Sequence, residues 1–121
     1  TGNESNVALN TQSCYDWGTG RDMGIDREAV ANHIYEDWPS AADCGKQEYS
    51  PMMKTNNEPG NSADDHPQSV ETVLANWENL MATGKRLCSP SSHDGSLGWL
   101  REFIDSIDAR GWRCDIMDVH C

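Results

Sequence analysis

The sequence is short of positive charge. Nine Lys and Arg stand against twenty Asp and Glu, a net charge of −11 over 121 residues. A surface of that sign repels phosphate backbones and anionic headgroups, so nucleic acid and membrane surfaces are poor partners. Long apolar runs are missing as well: no stretch approaches the roughly 20 residues of a membrane-spanning helix. The chain opens on Thr1 with no charged-then-apolar leader, which leaves its compartment undecided. The hydrophobic fraction of 36% and mean hydropathy of −0.74 are low for a self-sufficient globule, although five tryptophans argue against disorder.

Several chemistries lack their motifs. Cys14, Cys44, Cys88, Cys114 and Cys121 contain no CxxC spacing, which excludes a zinc ribbon, and their odd number gives no clear disulfide framework. Cys88 and Cys114 fall in apolar runs and read as small buried residues. His33, His66 and His93 have no zinc-site spacing, and no metal or other cofactor is expected. There is no GxSxG, and "DGSLG" at Asp94 to Gly98 opens a helix without either glycine-rich phosphate-binding pattern. What survives these exclusions is a neutral substrate, and sugars are the obvious large neutral class.

Two helices are legible. "SVETVLANWENLMATG" places Val70, Val73, Leu74, Trp77, Leu80 and Met81 at helical spacing, with Ser69 as N-cap and Gly84 as the stop. A second helix runs from about Ser96 to Arg110, with Leu97, Leu100, Ile104 and Ile107 on one face, Asp94 or Ser96 as cap, and Gly111 as terminator. Trp77 and Trp99 sit on these helices and read as packing residues. Strand-like runs lie at "EYSPMMKTNN", "KRLCSP" and "WRCDIMDVHC", giving the order strand, helix, strand, helix, strand. Upstream, "QSCYDWGTG" and "NHIYEDWPS" each read as a strand leading into a loop. Glu58 to Ser89 spans 31 positions (89 − 58), and Ser89 to His120 spans 31 again (120 − 89). A βα unit of roughly 30 residues repeating in that way predicts a parallel α/β sheet or barrel.

In a parallel barrel the functional residues come from the C-terminal ends of several strands. Those ends would present Trp17, Trp38, Asn57, Glu58, Ser89 and His120, with Asp16 beside them. The set combines an acid, flat aromatic surfaces and hydrogen-bonding groups. Glycoside hydrolysis needs a carboxylic acid beside the leaving oxygen and a second carboxylate across the sugar ring. Glu58 suits the first role, Asn57 can bond a ring hydroxyl, and Pro59 stiffens the turn that aims both. A carbohydrate-binding protein that keeps the cleft without the chemistry is the competing reading.

The motifs "NNEPG", "SVETVLANWENLM", "RLCSP", "GWLREFID" and "CDIMDVHC", in this order, resemble the Asl1-like glycosyl hydrolase catalytic core of glycoside hydrolase family 128, a retaining clan A TIM-barrel group. The match is strongest over residues 54–121, and "CYDWG" and "YEDWPS" look like two earlier strand ends, so residues 1–121 read as part of a single catalytic domain. The resemblance implies that Glu58 is the general acid/base and Asn57 its sugar-binding neighbour, with His120, Trp17, Trp38 and Ser89 lining the cleft. The substrate would be a polysaccharide or oligosaccharide, most readily β-1,3-glucan, cleaved internally with retention. A secreted or cell-surface enzyme, monomeric when full length, is expected. The chain departs from the family where Gly60 replaces the aspartate of Asn-Glu-Pro-Asp. It also holds no residue that can be assigned as the nucleophilic glutamate, so the resemblance implies a partial (β/α)8 barrel of about five or six strands.

Overall fold

The computed structural model describes residues 14–17, 30–34, 52–64 and 67–120. Trp38 lies outside these residues, and Asp16 and Trp17 are described by their backbone alone. Strands β1 (Cys14–Trp17), β2 (Val30–Ile34), β3 (Met52–Asn56) and β4 (Arg86–Leu87) form one sheet in the order β1-β2-β3-β4, every pair parallel. A shorter parallel pair joins β5 (Ser92–His93) to β6 (Val119–His120). Single bridges, Asn57 to Ser91 and Cys88 to Ile116, tie the two sheets together. The run 86–93 therefore lies between β3 on one side and the run 116–120 on the other.

Helix α1 (Val70–Ala82) connects β3 to β4, and helix α2 (Leu97–Arg110) connects β5 to β6. The β3–β4 and β5–β6 pairs thus each carry a crossover helix, as parallel pairing requires. The Ser69 side chain accepts from Thr72 N, satisfying one of the orphan donors of the first turn of α1. Thr83 caps the other end, and Gly84 follows at φ 72°, a left-handed conformation suited to glycine. Gly111 ends α2 at φ 65° with its N–H on Asp108 O.

The apolar faces of both helices meet the strands at one core. Met53 of β3 and Leu87 of β4 are fully buried against Val70, Val73, Leu74, Trp77 and Leu80 of α1. From α2 come Leu100, Phe103 and Ile107. Phe103 is the pivot of the aromatic packing: Trp77 meets it edge-on at 4.9 Å, and Trp99 stacks on it at 5.7 Å. Both indoles are also held by their N–H groups, Trp77 to Arg113 O at 3.0 Å and Trp99 to Gln68 O at 2.9 Å.

Two expectations need correction, and one gains detail. The buried face of α2 is set by Phe103 with Leu100 and Ile107, whereas Leu97 is exposed and Ile104 only partly covered. Ser96 stands at the N-cap of α2, as expected, but makes no side-chain cap hydrogen bond; the 3₁₀ turn Asp94–Ser96 before it is capped by His93, whose Nδ1 accepts from Gly95 N while Ser96 Oγ donates back to His93 O. The even spacing of 31 is not the register either. Met52 pairs with Arg86, 34 positions on (86 − 52), and Cys88 bridges to Ile116, 28 positions on (116 − 88).

Candidate active site

The site begins where β3 stops. Glu58 N donates to Ser91 O at 2.9 Å, the last rung holding this strand to the run 86–93. Asn61 N then donates to Glu58 O at 2.9 Å and closes a four-residue turn. Pro59 takes the second position of that turn, where its fixed φ is pre-set and its missing N–H costs nothing. It is also fully buried. Glu58 itself adopts φ 39°, left-handed backbone that a glutamate occupies at a cost of about 1 kcal/mol. The strained residue is thereby turned out of the strand path while its amide stays in the ladder.

Two partners fix the carboxylate. His120, at the end of β6, donates from Nδ1 to Oε1 at 2.8 Å, and Asn61 Nδ2 donates to Oε2 at 2.8 Å. The Glu58 side chain is 21% exposed and that of His120 36%, so the pair is reachable from solvent. The His120 hydrogen bond, reinforced by that of Asn61, holds the Glu58 carboxyl below its ordinary 4.5, against a weaker upward push from burial. Asn57 reaches Asp64 Oδ2 at 3.4 Å. Asn56, buried one residue earlier, donates to Gln68 Oε1 at 2.8 Å and ties the strand end to the segment that enters α1.

Below this mouth lies a second polar layer. Lys54 Nζ stands 3.0 Å from Asp118 Oδ2, with each side chain less than one-fifth exposed, and Ser91 Oγ donates to the same carboxylate oxygen. Asp118 is thereby neutralised by Lys54, and its backbone N donates to Ser89 Oγ at 2.9 Å. Ser89, expected at the cleft, is fully buried. It braces the wall beneath the site, and Ser91 is the serine that stands level with Asn57.

The turn accounts for a glycine at position 60. A β-carbon there would lie 2.7 Å from both Cβ and Cγ of Trp99 and 2.9 Å from Cβ of Ser96. No side chain fits without moving the start of α2, so the residue that follows Glu-Pro is set by the tryptophan packed over it.

The structure brings together Asn57, Glu58 and His120 and removes Ser89 from the surface. Trp17 ends β1, with its backbone paired to His33. Sequence reasoning missed Asn61, whose signal was present as the fourth residue of a proline turn, and the Lys54–Ser91–Asp118 layer, which only the true register reveals. Cys88 is buried and Cys114 partly so; burial pushes each thiol up to about 11. Among the described residues no group of His, Cys, Asp and Glu is arranged to hold a metal ion, and no helix is long and apolar enough to cross a membrane.

No family model matches this chain, and no curated protein sequence matches it. Solved structures do. A GH128 (subgroup I) endo-β-1,3-glucanase from Amycolatopsis mediterranei, in complex with laminaritriose, superposes with a TM-score of 0.82 at 25% identity over 98% of this chain and 52% of that one. A glutamate-to-alanine variant of the same enzyme with laminaripentaose gives the same values, and a glutamate-to-glutamine variant gives 0.81 at 26% identity. The chain spans about half the length of these structures.

Proposed function

We propose that this GH128-like chain forms the acid/base wall of a glycoside hydrolase that cleaves β-1,3-glucan internally, within a fold that closes as a (β/α)8 barrel. One observation carries the reading. Glu58 is strained out of the end of a parallel strand, partly open to solvent, and gripped on both oxygens, in a fold shared with β-1,3-glucanases crystallised with laminari-oligosaccharides. A solvated turn glutamate has no reason to bear left-handed strain and two side-chain partners at once.

Retaining hydrolysis proceeds in two steps. Glu58 protonates the leaving oxygen as a second carboxylate attacks the anomeric carbon; Glu58 then removes a proton from the water that releases the sugar. No residue of this chain is assigned as the nucleophile, which would stand about 5 Å from Glu58 across the cleft. The hydrogen bonds from His120 and Asn61 hold Glu58 ionised, the form needed for the second step. The first step needs the protonated form. The negative charge of the nucleophile and the exclusion of water by a bound sugar both push the Glu58 pKa upward in the assembled site. Asn57, one residue before the acid, would bond a hydroxyl of the sugar.

The downward shift of Glu58 gives the second reading its footing: a carboxylate kept ionised binds sugar hydroxyls well and donates protons poorly. Release of reducing ends from laminari-oligosaccharides by the protein, abolished in Glu58→Gln, supports the glycosidase reading. Equal inertness of the two proteins with intact oligosaccharide binding would replace it with a carbohydrate-binding one.

A further inference from the structure

We propose that His93 is a second histidine of the cleft and donates a hydrogen bond from Nε2–H to a hydroxyl of the bound sugar, an inference that rests on the carbohydrate site at Glu58. Register is the first argument. His93 pairs with His120 across the parallel β5–β6 ladder, and paired residues of parallel strands project to the same face of the sheet. His120 turns its ring to Glu58 on that face. His93 is also close enough to Glu58 to enter its electrostatics.

The tautomer is the second argument. Gly95 N donates to His93 Nδ1 at 2.9 Å, which makes Nδ1 an acceptor and leaves the proton of the neutral ring on Nε2. Asp94 Oδ1 lies farther from the same nitrogen, at 3.3 Å, on a side chain 92% exposed, and does not compete with a fixed backbone donor. Among the described residues Nε2 has no hydrogen-bond partner, while the side chain is only 27% exposed. The ring is also seated: a β-carbon on Gly95 would come within 2.5 Å of its Cε1. A half-buried donor held in one tautomer and one orientation, beside a carboxylate that takes sugars, is preorganised for a neutral hydroxyl.

Binding of laminaripentaose by calorimetry tests this, using His93→Asn and His93→Gln. Asn keeps an acceptor near Nδ1 for Gly95 N–H and loses the reach of Nε2; Gln places an amide N–H near Nε2. The expected result is about three- to tenfold weaker binding for His93→Asn, the loss of one neutral hydrogen bond, with recovery in His93→Gln at unchanged circular dichroism. Wild-type affinity in His93→Asn would overturn the proposal and leave His93 as a turn cap, with the site at Glu58 standing. A wild-type protein that binds no laminaripentaose would overturn the carbohydrate site and this proposal together.

Discussion

Gly60→Ala is expected to destabilise the protein by a clash that can be traced atom by atom. The added methyl would sit 2.7 Å from Cβ and Cγ of Trp99 and 2.9 Å from Cβ of Ser96, where relaxed carbon contacts lie near 3.5–4.0 Å. Trp99 has little room to retreat, because it is stacked on Phe103 at 5.7 Å and its indole N–H is held on Gln68 O. Overpacking of this kind costs about 1–3 kcal/mol. Loss of glycine freedom in the unfolded chain offsets about 0.4–1 kcal/mol of that. The net expectation is about 1–2 kcal/mol, or a Tm lower by about 4–8 °C for a domain of this size. Thermal unfolding followed by tryptophan fluorescence and far-ultraviolet circular dichroism measures it. A double-mutant cycle with Trp99→Ala identifies the cause, since the penalty should shrink once the indole is gone. A Tm for Gly60→Ala at or above wild type, or the same loss with and without Trp99, would refute the steric account. Gly60→Asp should cost more than alanine, because it adds a charge at the same crowded point.

Other outcomes follow from the site and core. His120→Ala should raise the Glu58 pKa toward its ordinary 4.5, visible as a shifted carboxyl resonance in a ¹³C-detected titration. Because the native pKa is depressed, the Glu58 contribution to stability is fully present above about 4.5 and is lost as pH falls through the lower native value. Denaturant titrations of wild type and His120→Ala should therefore converge in acid; a gap that stays constant with pH would contradict the linkage. Lys54→Met leaves Asp118 less than one-fifth exposed without its cation, and should cost about 1–3 kcal/mol by urea unfolding. Asp118→Asn in the same background should recover part of that loss. Cys88, with its thiol pushed up to about 11, should resist iodoacetamide at neutral pH in the folded protein and react on denaturation, as read by peptide mass spectrometry.

Helix α1 was legible because every local signal agreed: apolar spacing from Val70 to Leu80, a capping serine at 69 and a glycine stop at 84. Helix α2 was legible in extent but not in rotation. Leu97 fits the same stripe as Leu100, yet the 3₁₀ turn before it shifts its exposure, and Phe103 wins the core through its two tryptophan neighbours. The strand ends were the weakest inference. An even spacing of strand-like runs does not reveal which rungs pair, and the actual offsets of 34 and 28 move the level residue from Ser89 to Ser91. Glu58 was readable because its turn chemistry is local, as an acid before proline at a strand end. His93 was not, since its place beside His120 depends on pairing between strands separated by a whole helix.

The sheet lays its strands side by side in the order in which they are made. As the described strands emerge from the ribosome, each new one meets a neighbour already delivered and can pair on that side at once. Assembly by vectorial accretion keeps each loop-closure cost to the length of one crossover. One edge of the described sheet is then always the newest strand, while the opposite edge, at β1, is an early-made strand that the closing of the proposed barrel would have to cover.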